Sequence, residues 1–417
     1  MSTNEPVTEP ASKLTQTEPA KEPAEDPAKT GPAKEPQQSG LPGWAVQGLV
    51  AASAFLLALV VGAILIIIGD AQVKAAVGYF GAAPMDTISA AAAAVGNAYK
   101  ALVLGAVGGI TPITESLTQA TPLICGGLAV SLAFRTGLFN IGAQGQLIMG
   151  AILAAWVGFA WHLPPGLHLI IAVLAGLVGG AIWGGVVGLL KARTGAHEVI
   201  VTIMLNYVAI YLLQWLLTTS TFKRPGREDP ISPVVDANAQ YPQFGGNRLH
   251  LGFVLALLAA GFVWWLLNRS TVGFELRAVG ANPDASRTAG MSVGRAYVIA
   301  MVVAGALAGL AGTQQVLGTD LPLTDGVAAS VGFDAITVAL LGRGTPVGTV
   351  LAGLLFGALN AGGLQMQLQT QTPLTLTTVL QAVIVLFVAA PALVRSVFRF
   401  LPKERGAGAV LAKGWNG

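Results

Sequence analysis

About ten apolar runs, most of them close to 20 residues long, fill the chain between residues 46 and 394. Wound as an α-helix, a run of about 20 residues matches the ~30 Å hydrocarbon core of a bilayer, where the backbone must satisfy its own hydrogen bonds. The expected fold is therefore all-α and polytopic. Spans are predicted at about 46–69, 115–134, 138–161, 167–190, 197–219, 251–268, 296–316, 330–342, 346–365 and 375–394. The eighth is short and reads as a broken or tilted helix. Residues 87–110 are also apolar, but they are rich in Gly and Ala and carry Lys100. They read as an element lying on or re-entering the outer face, not as a crossing.

Charge supports this reading. Only 10% of the 417 residues are charged, against about 25% in soluble proteins. Eleven of the charged residues crowd into positions 1–43, a Pro-, Glu-, Lys- and Ala-rich stretch with a loose EPA/DPAK repeat. With almost no large apolar side chains it cannot offset its ordering entropy, so a disordered cytoplasmic tail is expected there. It lacks the basic start and small-residue cleavage site of a secretory signal, so the first apolar run is read as a retained anchor. The membrane domain is expected over 44–400, with a second cytoplasmic tail at 401–417. The single cysteine, Cys125, has no internal partner and reads as a small buried apolar side chain.

Ten crossings from a cytoplasmic tail place both termini inside. The positive-inside rule tests that arrangement. It puts Arg135, Lys191, Arg193, Arg269, Arg277, Arg287, Arg295, Arg343, Arg395, Arg399, Lys403, Arg405 and Lys413 in the cytoplasm. Lys74, Lys100, Lys223, Arg224, Arg227 and Arg248 are left outside, four of them in one loop at 220–250. Counting 87–110 as a span would invert every later loop and reverse the bias.

No soluble-enzyme constellation is present. The sequence has no GxxxxGK[ST], HExxH, CxxC or GxSxG. His162, His168, His197 and His250 fall near span ends and not at metal-ligand spacing, so neither catalytic nor metal residues are expected. Polar groups inside spans are costly and tend to face protein or a water-filled path. Asn140 and Gln144, four apart at the start of the third span, read as sharing one helix face, with Gln146 on another. Gly142, Gly145 and Gly150 allow close backbone approach beside them. In the fifth span Thr202 and Asn206 share a face, with Gln214 two turns on; the ninth carries Asn360. For each, a hydrogen bond between packed helices competes with a substrate contact. Together they suggest a polar pathway. Glu115, Glu198 and Asp334 read as lying near span ends, which argues against an ion-coupled carrier built on an intramembrane carboxylate.

The longest internal loop, 269–296, breaks at Asn282-Pro283. Asn282 fits an N-cap, Pro283 the first helical position and Asp284 the first turn, so a short helix over about 283–290 ended by Gly290 is predicted. Such a helix suits docking to a partner as well as it suits a plain connector.

The stretch ATPLICGGLAVSLAFRTGLFNIGAQGQLIMGA (120–151) resembles permeases of the branched-chain amino acid/simple sugar superfamily of ABC transporters, closest to the branch serving nucleoside-type importers with a lipoprotein receptor. HEVIVTIMLNYVA (197–209), GFELRAVGANPDASRTAGM (273–291) and GFDAITVALLGRGTPVGTVLAGLLFGAL (332–359) follow in the same order. The resemblance runs from about residue 100 to 395. It implies a type II-like permease subunit of an ATP-driven importer in a bacterial plasma membrane. The expected partners are an ABC ATP-binding subunit, a second permease (heterodimer favoured over homodimer), a substrate-binding lipoprotein and the bilayer, with no nucleic acid. ATP and magnesium would be bound by the ATP-binding subunit, leaving this chain without a cofactor or an enzymatic role of its own. The resemblance makes Gly280, Asn282, Pro283, Ala285, Arg287 and Gly290 the segment coupling to that subunit. It also makes Asn140, Gln144, Gln146, Thr202, Asn206 and Asn360 candidates for the substrate pathway. Many relatives carry Glu at the position of Gln144; the amide keeps hydrogen bonding and loses the charge. An uncharged polar solute is expected, nucleosides first. The alternatives are a simple-sugar or branched-chain amino acid permease, or a secondary carrier.

Overall fold

The computed structural model describes residues 43–319 and 322–398. The expected tails at 1–43 and 401–417 lie outside the described residues, apart from Gly43, which begins the first helix. The helices in chain order are α1 (Gly43–Gly69), α2 (Ala71–Val77), α3 (Pro84–Val107), α4 (Ile110–Arg135) and α5 (Ala143–Ala160). Next come α6 (Leu167–Thr194), α7 (Glu198–Thr218), α8 (Gly252–Arg269), α9 (Thr271–Ala281) and α10 (Pro283–Thr288). The last are α11 (Val293–Gln314), α12 (Val331–Leu341), α13 (Pro346–Thr370), α14 (Leu374–Ala389) and α15 (Pro391–Val397). One small antiparallel ribbon interrupts the helices. In it β1 (Ile231–Val234) pairs with β2 (Pro322–Thr324), Ile231 standing opposite Thr324.

The direction of each helix follows from its contacts. α13 runs antiparallel to α4: Thr349 bonds Ser131, Gly353 packs on Ile124, and Gly357 on Ser116 and Ala120. α14 folds back along α13, with Thr377 against Gly363 and Gln381 bonded to Asn360. α1 is antiparallel to α14, since Gly62 meets Leu380 while Ala54 clusters with Val394. Hence α1 ends, and α4 begins, at the end of the bundle where α13 stops at Thr370. The segment α2–α3 leaves and returns to that same end.

By length and composition Pro84–Val107 is one of nine helices among the described residues able to cross a membrane. The chain path keeps it from doing so. Its C-terminal half still enters the bundle: Leu102 and Gly105 rest on Gly362 and Gln365, about 8–12 Å from Thr370 at 1.5 Å per residue, and the Tyr99 hydroxyl donates to the carbonyl of Leu59 in α1. The remaining eight long helices, α14 and the composite stretch ending in α12 make ten passes. Both described ends of the chain therefore lie at the Arg135 end.

The tightest seam joins α6 to α11. Gly176, Gly180, Gly184 and Gly188 recur every four residues on one, and Gly305 and Gly309 on the other. A Cβ on Gly180 would stand 2.1 Å from the Gly305 carbonyl, and one on Gly184 2.2 Å from that of Met301. Small residues at this spacing let two backbones touch, so dispersion replaces the hydrophobic force that lipid cannot supply. α4 and α5 form the centre, with most of their residues buried. α7 turns Ile200, Met204, Val208, Tyr211 and Trp215 outward, as a lipid-facing helix does.

Two passes are broken. After Arg135 the chain runs non-helically over 136–142 and α5 begins only at Ala143. Beyond β2 the chain turns inward to Ser330, and α12 completes the pass with 11 residues, about 16 Å at 1.5 Å per residue. That is half of a ~30 Å core. The short eighth span of the sequence reading is this half-helix.

Candidate functional site

The starts of α5 and α12 meet inside the bundle. Gly332, in the first turn of α12, donates its amide to Gln144 Oε1 at 2.8 Å, and Gln144 Nε2 donates to the Ala329 carbonyl at 2.9 Å. Gly145 donates to Asn206 Oδ1 at 2.8 Å. Asn206 lies about 12 Å along α7 from Glu198, at 1.5 Å per residue. Ala335 packs on Gly126 of α4, about 13 Å from Arg135 by the same rise. Both marks place the junction near mid-depth.

A helix that starts there exposes first-turn amides that neither water nor a preceding turn can satisfy. The amide side chains supply the missing acceptors. Asn140 Oδ1 takes the Gly142 amide at 3.0 Å, and Asn140 Nδ2 donates to Gln146 Oε1 at 3.0 Å. Asn206 Nδ2 donates to the Ile141 carbonyl at 3.0 Å. Thr202 returns its hydroxyl to the Glu198 carbonyl at 2.7 Å. Asn140, Gln146 and Thr202 are fully buried, Asn206 and Gln144 nearly so.

These contacts correct one sequence expectation. Asn140 and Gln144 do not share a helix face, because residue 140 precedes α5 and pairs with Gln146 across the non-helical turn. Gln144 uses its donor and its acceptor at once, which an ionised glutamate could not do; that accounts for an amide at this position.

Asn360 is placed differently from the other five. It accepts from Gln381 Nε2 at 2.7 Å and opens on a cavity of about 260 Å³ bounded by Gln119, Leu364, Leu374, Thr377 and Thr378. Gln119 in turn donates to Glu115, which pairs with Arg248 at 3.3 Å.

Asp334 also departs from expectation. From the sequence it is expected near a span end, on the premise that its helix begins at the membrane surface. Because α12 begins half-way, Asp334 lies one residue from Ala335 at mid-depth. Its Oδ2 accepts from Ser330 Oγ at 2.6 Å, and both Ser330 and Phe333 beside it are exposed. No periodicity signals this, since the descent over 325–330 has none; only the packing of Ala335 on Gly126 sets the depth.

At the Arg135 end, the loop after α8 folds as the spacing predicts. Asn282 caps α10 by accepting from the Asp284 and Ala285 amides at 3.1 and 3.0 Å. Gly290 turns the chain at φ +85° after the helix. Pro283, Ala285 and Arg287 are exposed, Arg287 pairing with Asp284 at 2.9 Å. Gly280 anchors the hairpin, since a Cβ there would stand 2.3 Å from the Arg135 carbonyl. A cavity of about 530 Å³ beside α10 is bounded by Lys191, Arg287, Ser292 and Tyr297 among others. Lys191 pairs with Glu198 at 2.8 Å. Among the described residues no group of three His, Cys, Asp or Glu side chains is arranged to hold a metal.

The family described as branched-chain amino acid transport system / permease component matches residues 112–389. The chain is 43% identical to a guanosine ABC transporter permease protein of Bacillus subtilis over 321 residues, 75% of this chain and 90% of that one. It is 33% identical to a nucleoside ABC transporter permease protein of Lactococcus lactis, covering 74% and 86% respectively. A glucose ABC transporter permease protein of Haloferax volcanii is 35% identical over 66% of this chain and 75% of its own. No solved structure matches the chain.

Proposed function

The chain belongs to the permease components of the branched-chain amino acid transport family, and from that premise we propose that it is the membrane pathway of an ATP-driven nucleoside importer. The similarity to the guanosine permease along nine-tenths of that protein's length carries the reading. The solutes named for the three relatives are uncharged, and guanosine and glucose each bear adjacent hydroxyls. An amide-rather than charge-lined cavity at Asn360 and Gln119 suits such solutes, which are held by hydrogen bonds.

We place the Arg135 end in the cytoplasm. Arg135, Lys191, Arg193, Arg269, Arg277, Arg287, Arg295 and Arg343 gather there, in the sense of the positive-inside rule. The exposed helix α10 is then the element that meets an ATP-binding subunit, which holds ATP and magnesium. A second permease completes the pathway, and a substrate-binding lipoprotein delivers the solute at the Thr370 end. ATP-dependent contacts at α10 shift the permease between outward- and inward-facing states through the half-helices, whose ends are free to re-pack. Asn140, Gln144, Gln146, Thr202 and Asn206 hold the junction of α5, α7 and α12 in that cycle, and Asn360 lines the path.

Uptake of radiolabelled guanosine is the test. Cells expressing the chain with its ATP-binding, permease and lipoprotein partners should accumulate it in an ATP-dependent manner, and cells deleted for this chain should not. Accumulation of glucose, unaffected by excess guanosine, would instead favour the sugar reading that the Haloferax relative supports.

A further inference from the structure

One ionisable side chain stands at mid-depth on an open face of the bundle, and the capping network above does not use it. Asp334 lies in the first turn of α12, next to Ala335, which packs on Gly126 deep within α4. Around it Ser330 and Phe333 are exposed, and Asp334 itself is half-buried. One carboxylate oxygen accepts from the Ser330 hydroxyl; the other has no hydrogen-bond partner among the described residues. A carboxylate facing hydrocarbon at this depth is costly, so such groups face protein or water. The lipid-facing surface of α7 carries nothing comparable.

The position of Asp334 relative to the Asn360 cavity is also informative. Gln119, on the cavity wall, sits on α4 about 10 Å from Gly126 toward the Thr370 end, at 1.5 Å per residue. α14 connects the two levels: Thr377 and Thr378 line the cavity, and Val385, two turns on, packs in the cluster that includes Val331 at the start of α12. α14 thus runs from the cavity toward the turn that bears Asp334.

We propose that Asp334 is a specificity-determining contact that accepts hydrogen bonds from the adjacent hydroxyls of a ribose-bearing solute at mid-membrane. An ionised carboxylate is acceptor-only, with about four lone-pair sites. Ser330 occupies one, and a vicinal diol presents two donors at a spacing one carboxylate can receive. Charge-assisted bonds of this kind are about twice as strong as neutral ones. The neutral amides at Asn360 and Gln119 donate and accept alike and cannot make that distinction.

This inference rests on the nucleoside-importer reading, and the experiment separates the two. Uptake of guanosine and of 2′-deoxyguanosine is measured in the full assembly at solute concentrations that saturate the lipoprotein, for wild type, Asp334→Asn and Asp334→Glu. The expected result for Asp334→Asn is a tenfold or greater loss of guanosine uptake with a loss of 2′-deoxyguanosine uptake of no more than about twofold. Asp334→Glu should recover at least half of the guanosine rate, and lipoprotein-stimulated ATP hydrolysis should be retained throughout. Equal losses for both solutes, or no loss, overturn the proposal. A wild-type assembly that takes up neither nucleoside overturns the importer reading itself. Should Asp334→Asn fail to insert, carbodiimide labelling of the wild-type carboxyl decides. Guanosine must protect Asp334 at least threefold better than 2′-deoxyguanosine, and equal protection refutes the assignment.

Discussion

Replacing Asn206 with leucine distinguishes a capping amide from a path-lining one. The side chain is 3% exposed and makes two bonds, accepting from the Gly145 amide at 2.8 Å and donating to the Ile141 carbonyl at 3.0 Å. Leucine keeps the branch at Cγ and is larger, so no cavity forms and the lost bonds set the minimum cost. It strands one buried N–H and one part-buried C=O, each costing up to about 1–3 kcal/mol. The expected destabilisation is therefore about 2–6 kcal/mol. Double-mutant cycles in a membrane bundle average nearer 0.6 kcal/mol per side-chain bond, because the membrane-embedded unfolded state finds other partners; that places the expectation toward the lower end of the range. The assay is equilibrium unfolding of the purified protein in mixed micelles, followed by helicity. Solute selectivity is measured in parallel on the reconstituted assembly at a temperature where the variant remains folded. The capping account expects lower stability with an unchanged ratio of guanosine to glucose uptake. A variant of wild-type stability with an altered ratio would show that Asn206 contacts solute, and the capping argument for α5 would fail with it.

Gly180→Leu should disrupt the α6–α11 seam by 3 kcal/mol or more, since overpacking alone costs about 1–3 kcal/mol and here the obstacle is the Gly305 backbone; assembly yield in detergent is the readout, and normal yield would refute a backbone-to-backbone contact. Arg287→Ala, or Gly290→Val at its φ of +85°, should lower uptake per ATP hydrolysed several-fold without reducing membrane insertion, and unchanged uptake in a variant with a disrupted α10 would remove the coupling role. Burial, with a smaller contribution from the nearby Arg248 charge, lowers the His250 imidazole to about 4. The unfolded chain takes the proton near 6.5, so this contribution to stability is whole above pH 6.5 and lost as pH falls toward 4, at a slope approaching about 1.4 kcal/mol per pH unit. Melting of wild type should fall between pH 7 and 5, and His250→Gln should flatten that fall; parallel curves for the two proteins would contradict it.

The span boundaries were legible in the sequence because each span solves its backbone problem alone. An apolar run near 20 residues long has one low-energy form in hydrocarbon, and its flanking arginines and lysines mark its ends. α10 was legible for the same local reason: Asn282, Pro283 and Gly290 each favour one backbone conformation at one place. Charge counting across distant loops sets 87–110 apart from the spans, whereas length and composition alone make Pro84–Val107 able to cross. What tertiary structure alone decided is depth and partner choice. Asn140 and Gln144 look like neighbours on a helix until the chain is seen to unwind over 136–142, where side chains from α5 and α7 do the work of a missing turn. An amide that caps a broken helix and an amide that lines a path are the same letter in the same kind of apolar run. Asp334 lies close to the edge of its apolar run and yet at mid-depth in the membrane, because the chain reaches Ser330 without a helix and only Gly126, more than 200 residues earlier, fixes how far in it has come.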